Sequence, residues 1–226
     1  MDNLYHLDLK KFQLAHLHRI LRNGRLLPSE QMLGEIMDDC FATLRSIGIT
    51  NLAELAERLK TSKRTAQLAA ESGLPAECLT ILRRRIGHYT PKPVVLSKFP
   101  GIEPSYIERL AAAGIKNSKH LFVAAGSKSD RAALAARTDV PEEILLELVK
   151  LSDLVRAAYV GPVYARLIYA TGLDTLAKLA ASSSEQLKAD MARVNKEQGI
   201  MKAALPSEDL DPWLETVEMI PKAIEY

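Results

Sequence analysis

The sequence of 226 residues is poor in cysteine and in aromatic side chains. Its two cysteines, Cys40 and Cys78, do not form a CxxC pair, so neither a disulfide framework nor a thiolate metal site is indicated. Aromatic residues make up 5% of the chain while leucine and alanine abound, which favours helices over sheets. No apolar run reaches the length of a membrane span, and residues 1–12 lack the basic and apolar regions of a signal peptide. We therefore expect a cytoplasmic protein that has no membrane partner.

The sequence motifs of common enzymes are also missing. The chain has no Walker loop, no nucleophile elbow, no HExxH zinc motif and no cluster of carboxylates. Of the five histidines, His16 and His18 are two residues apart, so on a helix they point to different sides and do not easily share a metal. We expect no catalytic residue, no metal, no cofactor and no small-molecule substrate.

Charge is nearly balanced, at +2, but it is unevenly distributed along the chain. Residues 51–100 contain nine Lys and Arg against four Asp and Glu, whereas residues 201–226 contain two against six. The basic segment could meet a polyanion, and the acidic tail could compete for the same surface. The alternative is that each cluster is a solvated helix face.

One short pattern occurs three times, as RSIGITNLAEL at 45–55, AAAGIKNSKHL at 111–121 and YATGLDTLAKL at 169–179. The first two copies align without a gap at a spacing of 66 residues, and the third follows the second by 58. The agreement extends downstream, where LAAESGLPAECL at 68–79 aligns with LAARTDVPEEIL at 134–145. Agreement over this length predicts a duplicated unit.

Each copy has a glycine at the same place. The three glycines are Gly48, Gly114 and Gly172. Glycine enters the left-handed conformation that often ends a helix, and an apolar residue follows each of the three, as the Schellman motif prefers. Three positions after each glycine stands a good N-cap residue: Asn51, Asn117 or Thr175. Each copy is therefore predicted to form a glycine elbow, meaning a helix end, a tight turn and a new helix start.

FPGIEPSYIERLAAAGI, at 99–115, resembles the helix-hairpin-helix motif of DNA repair and replication proteins, and AAYVGPVYARLIYATGLDTLAKLA, at 157–180, resembles it too. The motif is a short helix, an apolar-Gly-apolar-Gly hairpin often followed by proline, and a second helix that ends in glycine. The matching residues are Gly101, Ile102, Pro104, Leu110 and Gly114, and then Val160, Gly161, Pro162, Ala165, Ile168 and Gly172. We call residues 99–104 the second hairpin and residues 157–162 the third hairpin. The whole chain, including LLPSE at 26–30, also resembles an uncharacterised bacterial family of such repeats, a domain of unknown function.

Together, the pattern and the resemblance predict an all-α protein of tandem helix-hairpin-helix-like repeats. The clearest break is YTPKPVVL at 89–96, where two prolines and β-branched residues favour an extended linker. We place a boundary there, between an N-terminal helical domain at 1–90 with the first repeat and a C-terminal domain at 91–226 with the other two repeats and an acidic C-terminal helix. YHLDL at 5–9 and KAIEY at 222–226 alternate in polarity, which suggests a minor terminal two-stranded β ribbon.

The resemblance implies binding to the phosphate backbone of a nucleic acid without sequence preference. In such motifs the backbone N–H groups of the hairpin point at a phosphate, and nearby cations add attraction. The implied site residues are Tyr159, Val160, Gly161, Val163 and Tyr164, flanked by Arg156 and Arg166. Val163 and Tyr164 supply N–H donors, and Tyr159 stacks on a base or sugar. The alternative is that Gly161 only permits a turn and that the tyrosines pack.

The chain departs from the motif where phosphate binding matters. Glu103 replaces the second glycine of the second hairpin, and Tyr159 replaces the first glycine of the third hairpin. The first repeat has Glu35, Ile36 and Met37 at this place and no hairpin. The weaker candidates for phosphate contacts are Gly101, Ile102, Arg83, Arg84, Arg85 and Lys92. The three arginines have an alternative role, because cations late in a helix stabilise its C-terminus.

Two functions remain open. The first is a non-enzymatic module that binds DNA or RNA through phosphates, and it predicts binding that weakens steeply with salt. The second is a scaffold of helical repeats that binds another protein, and it predicts little salt dependence and no effect of replacing Arg156 and Arg166. The near-neutral charge, the acidic tail and the altered hairpins favour the second function. The motif favours the first, toward which the sequence leans slightly.

Overall fold

The computed structural model describes residues 4–24, 26–206 and 210–226, and these residues form fourteen α-helices and no strand. Within them, the N-terminal unit comprises residues 8–90 and 210–213, and the C-terminal unit comprises residues 4–7, 91–206 and 214–226. Two residues of the acidic tail, Glu208 and Asp209, lie outside the described residues. The division of the chain into domains at 1–90 and 91–226 stays a prediction.

The N-terminal unit is a packed set of short helices. They are α1 (Leu14–Asn23), α2 (Gln31–Glu35), α3 (Met37–Ser46), α4 (Leu52–Arg58), α5 (Ser62–Ser72) and α6 (Ala76–Gly87). Helix α1 packs on α3, while α6 packs on α2, α4 and α5. Its leucine-rich core includes the buried rings of Phe12 and Tyr89, whose centroids lie 4.8 Å apart edge to face.

The C-terminal unit is organised around one long buried helix, α10. The remaining helices are α7 (Pro104–Ala112), α8 (Ser118–Ala124), α9 (Lys128–Thr138), α10 (Glu142–Leu154), α11 (Pro162–Ala170), α12 (Leu176–Ala180), α13 (Ser184–Gln198) and α14 (Asp211–Glu218), of which residues 214–218 belong to this unit. Helices α8, α9 and α11 pack on α10, and α13 packs on α11. Leu145, Leu148 and Leu151 recur at helical spacing along α10 and are fully buried, which is why this helix occupies the centre.

The all-α prediction is confirmed, whereas the predicted terminal β ribbon is wrong for the described residues. The backbone carbonyls of the two terminal segments bind a guanidinium group instead of a partner strand. The guanidinium of Arg156 donates to the carbonyls of Leu4 over 2.8 Å, Tyr5 over 2.9 Å and Pro221 over 2.7 Å. None of the helices in the described part of the chain is long and apolar enough to cross a lipid bilayer.

The glycine elbows have the predicted backbone conformation. The φ angle is +85° at Gly48, +87° at Gly114 and +89° at Gly172, in the left-handed region where glycine avoids a steric cost. In the second elbow, the Ile115 N–H donates to the carbonyl of Leu110 over 2.8 Å, as a Schellman motif requires.

The N-caps of the helices that follow the elbows are also confirmed. The side chains of Asn51, Asn117 and Thr175 each accept a hydrogen bond from a backbone N–H in the first turn. A short extended segment pairs with the residues after the first two elbows, through isolated bridges that join Gln13 to Asn51 and Val95 to Asn117. That the elbows belong to one duplicated unit stays a prediction.

Candidate interaction surface

The third hairpin connects α10 to α11 and has an exposed tyrosine at its turn. Tyr159 has a φ of +67°, so a tyrosine occupies the left-handed conformation that Gly101 occupies in the second hairpin, at +80°. Gly161, by contrast, is extended, with φ −82° and ψ 173°, and forms the N-cap position of α11. The left-handed residue of this hairpin is therefore the tyrosine two residues before Gly161, and the phosphate role of Gly161 stays a prediction.

Around this tyrosine the hairpin exposes apolar rather than cationic groups. Tyr159 is 46% exposed and Val163, in the first turn of α11, is 38% exposed. Val160 is buried and anchors the hairpin in the unit, while Tyr164 is half-buried. We call the exposed residues Tyr159, Gly161 and Val163 the third-hairpin surface.

Arg156 does not belong to this surface. It is 1% exposed, its guanidinium pairs with the Asp153 carboxylate, and its remaining donors go to the terminal carbonyls described above. Its Cζ also lies 4.5 Å from the ring centroid of Phe122, a cation–π contact. The prediction of a phosphate contact at Arg156 is corrected, because every nitrogen of its guanidinium is used inside the unit.

Arg166 is also held inside the unit, where it connects α10 to the second hairpin. Its Nε donates to the carbonyl of Pro100 over 2.7 Å, and its Nη1 lies 2.5 Å from Glu147 Oε1. A Cβ atom added to Gly101 would lie 3.6 Å from Arg166 Cζ, so this guanidinium covers the hairpin glycine. The prediction of a phosphate contact at Arg166 is corrected as well.

The guanidinium of Arg166 is therefore partly buried and ion-paired with Glu147. Its Cζ lies 5.4 Å from the ring centroid of Tyr169. Burial, together with the negative charges of Glu147 and Asp174, raises the pKa of the Tyr169 hydroxyl above its ordinary value.

In the second hairpin itself, Ile102 is half-buried and the exposed Glu103 carboxylate accepts a hydrogen bond from the Ser105 hydroxyl over 2.5 Å. An acid at this place does not favour an anion.

The weaker candidates outside the second hairpin lie in α6 of the N-terminal unit and in the linker. Arg83 is exposed and donates to the carbonyl of Lys60 over 3.2 Å, and Arg84 is exposed as well. Arg85 is mostly buried and paired with Glu30, which corrects its assignment as a phosphate contact. Lys92 is exposed in the extended stretch that follows α6.

We expect the Glu30–Arg85 pair to make stability depend on acid pH. Burial raises the pKa of the Glu30 carboxyl, but hydrogen bonds from the Leu27 N–H and Arg85 outweigh it and hold the pKa below its ordinary value. The pair therefore stabilises the fold above about pH 4.5, and that contribution is lost as the pH falls through the folded-state pKa. Glu30→Gln should lower the free energy of unfolding by about 2 kcal/mol at pH 7 and flatten its fall below about pH 5.

Urea titrations between neutral and acid pH provide the measurement. Glu77→Gln, at an exposed carboxylate of α6, is the control and should change the free energy of unfolding by no more than a few tenths of a kcal/mol. Parallel stability curves for the wild type and Glu30→Gln over the acid range would contradict the expected role of the pair.

Sequence reasoning missed the residues that hold the two arginines. Asp153 stands three residues before Arg156, a spacing at which helical side chains meet, so the pair could have been found from the sequence. Glu147 and Tyr226 are far from their partners in the sequence, so no spacing indicates these contacts. In the fold, the Tyr226 hydroxyl donates to Asp153 Oδ2 over 2.6 Å.

Among the described residues, no three His, Cys, Asp or Glu side chains come together as a metal site would need.

Comparison with known proteins matches part of the chain to a protein family. A family profile described as "Domain of unknown function (DUF4332)" matches residues 100–217, just over half of the chain and most of the C-terminal unit. Neither a curated protein nor a solved structure matches the chain.

Proposed function

The chain belongs to the DUF4332 family, a domain of unknown function. From the geometry of the third hairpin we propose that the protein is a non-enzymatic interaction module, which binds a polypeptide through the third-hairpin surface. In this proposal, the glycine elbows connect the helices of tandem helix-hairpin-helix-like repeats, and the third hairpin presents the residues that contact the polypeptide. The equivalent left-handed residues in the second and third hairpins support the repeat assignment.

The observation that carries the proposal is the conformation of Tyr159. A left-handed backbone costs a residue with a side chain about 1–2 kcal/mol, and glycine at this position would avoid that cost. A strained residue persists where the surrounding structure imposes it, and such residues cluster at binding sites. Tyrosine is also among the residues that most often carry binding energy at protein interfaces. A half-exposed tyrosine held in this conformation, with the exposed Val163 four residues further along the same hairpin surface, supports an apolar partner side chain as the ligand.

Nucleic-acid binding finds less support at the same place. Binding to phosphates depends on cations that are free to replace counterions, and both arginines that the motif implied are used inside the unit. Tyr159 could still stack on a base, so the test below includes nucleic acids. The non-enzymatic part of the proposal rests on the sequence, which has none of the catalytic motifs considered above.

We expect replacement of the third-hairpin surface to remove peptide binding without harming the fold. Peptides are selected from a displayed random library on the full chain, and their Kd is measured by fluorescence anisotropy. Tyr159→Gly and Val163→Ser should each weaken binding by about tenfold or more, and the selected peptides should share an apolar or aromatic residue. Tyr159→Gly should not lower the free energy of unfolding, because glycine relieves the left-handed strain.

Val123→Ser is the matched control, since Val123 in α8 is 44% exposed and apolar but lies outside the third-hairpin surface. It should leave the Kd unchanged, and raising salt from about 50 to 200 mM should change the Kd of the wild type little. Selected peptides whose affinity is indifferent to Tyr159→Gly would contradict the proposal. Tight binding of duplex, single-stranded or branched DNA, or of RNA, that weakens steeply with salt would instead favour the nucleic-acid function.

A further inference from the structure

The two cysteines of the chain meet in the core of the N-terminal unit. Cys40 lies in α3 and Cys78 in α6, and their Sγ atoms are 3.3 Å apart although 38 residues separate them in the sequence. Both side chains are fully buried. The two sulfur atoms are therefore already in contact and need to approach by only about 1.3 Å to reach the length of a disulfide bond.

Each cysteine belongs to the buried apolar face of its own helix. Phe41 and Leu44 follow Cys40 in α3, Leu79 and Leu82 follow Cys78 in α6, and all four are fully buried. Within the described residues, the pair has no third cysteine, histidine or carboxylate close enough to complete a metal-binding group. Two thiols alone do not supply the four ligands of a structural zinc site, so their contact favours chemistry between the sulfurs themselves.

We propose that Cys40 and Cys78 are a redox modification site at which hydrogen peroxide forms a reversible disulfide bond between α3 and α6. In the first step the Cys78 thiolate attacks one peroxide oxygen, the O–O bond breaks, and the products are a sulfenic acid and hydroxide. In the second step the sulfur of Cys40 attacks the Cys78 sulfur, the S–O bond breaks, and the oxygen leaves as water. Overall, two thiols and one peroxide give one disulfide and two waters, so the cysteines are oxidised and the peroxide is reduced.

In the proposed reaction one of the two sulfurs attacks the peroxide and the other resolves the sulfenic acid. The hydrogen bond from Cys40 lowers the pKa of Cys78, against the effect of burial, and the same contact together with burial raises the pKa of Cys40. The lowered pKa favours Cys78 as the sulfur that reacts first and Cys40 as the one that resolves the sulfenic acid, and the same disulfide forms if the two roles are exchanged. Because both are buried, the oxidant must be small and must enter during local opening, which makes peroxide a better oxidant here than a bulky disulfide.

The disulfide would close a long loop and tie two helices of one core. Such a bond reduces the conformational freedom of the unfolded chain, so the oxidised protein should melt at a temperature roughly 5–10 °C higher than the reduced protein. The residues concerned lie outside residues 100–217, so the site belongs to the part of the chain that the family match does not cover. It is independent of the third-hairpin surface.

The test uses the folded, reduced full chain treated with hydrogen peroxide at low protein concentration. After denaturation in a thiol-alkylating reagent, the intact mass should show a loss of two hydrogens and no alkylation, and peptide mapping should join the peptides that contain Cys40 and Cys78. Treatment with dithiothreitol should restore two alkylated cysteines and lower Tm to its initial value. The far-ultraviolet circular dichroism should stay that of the untreated protein.

Cys40→Ala is the matched variant, because it removes the resolving sulfur and leaves Cys78 in place. After the same peroxide treatment and denaturation, its intact mass should show no loss of two hydrogens within the chain, whereas the mass of the wild type should show that loss. Two alkylated cysteines in the peroxide-treated wild type, oxygen adducts without a cross-link, or cross-links only between chains would each overturn the proposal. The wild-type measurements decide the question even if Cys40→Ala fails to fold.

Discussion

Replacing Arg156 by alanine is expected to lower the free energy of unfolding by about 3–5 kcal/mol, a large part of the stability of an ordinary domain. The reason is the burial of the guanidinium and of its partner, Asp153, which are 1% and 3% exposed. Removing the cation leaves the Asp153 carboxylate without its counterion in the core, and a buried charge without a partner costs several kcal/mol. The terminal segments at Leu4 and Pro221 lose a hydrogen-bond donor at the same time.

Urea unfolding of the full chain measures this loss, with Arg137→Ala as the control, since Arg137 lies on the exposed face of α9. The double variant Asp153→Asn/Arg156→Met should be more stable than the sum of the single losses predicts, by about 2 kcal/mol or more, because it leaves no charge unpaired. A loss at Arg156 no larger than at Arg137 would show that the guanidinium is not buried in solution.

The expected loss also explains why the phosphate-binding prediction failed at this residue. From the sequence, Arg156 stands just before a hairpin of a phosphate-binding motif, and a cation at that place is easily assigned to a ligand. What the sequence does not give is the position of Leu4, Tyr5 and Pro221, whose carbonyls surround the guanidinium. These contacts join parts of the chain that are far apart in sequence, and no local pattern encodes them.

Local patterns, by contrast, predicted the elbows well. A helix end depends on one residue that tolerates positive φ, and a helix start depends on one side chain that accepts an N–H, so three or four neighbouring residues determine both. Gly114 and Asn117 illustrate this, and both adopt the predicted conformation. The terminal β ribbon failed for the opposite reason: alternation in five residues allows a strand, but a strand also needs a partner, which the fold does not provide.

The candidate site was predicted only in part. The sequence brought the residues of the third hairpin together, because they are neighbours in the chain, and it showed that Tyr159 stands where the motif has glycine. It did not show that the tyrosine keeps the conformation of that glycine, since a bulky residue rarely does so. The contact between Cys40 and Cys78 was equally hidden, because the packing of α3 and α6 alone brings their sulfurs together.

The second large effect concerns the glycine elbows of the C-terminal unit. Alanine at Gly114 or Gly172 should cost about 1–2 kcal/mol each, because φ is +87° and +89° there and an L residue is strained at positive φ. No atom lies within 4 Å of a Cβ added at either glycine, so the cost is one of backbone conformation and not of a clash. The double variant should therefore lose about 2–4 kcal/mol, since two independent backbone strains add.

Two further variants separate backbone strain from any general cost of replacing glycine. Gly87→Ala, at the last residue of α6, also meets no neighbour within 4 Å but lacks a positive φ, so alanine should stabilise the protein there by about 0.5–1 kcal/mol. Gly114→Asn should cost less than Gly114→Ala, because asparagine tolerates the left-handed conformation. Urea midpoints at constant m-value give the change in stability of all five variants. If Gly114→Ala and Gly87→Ala changed stability alike, the left-handed elbow would be absent in solution, and the helices on either side of it would have to run on as one.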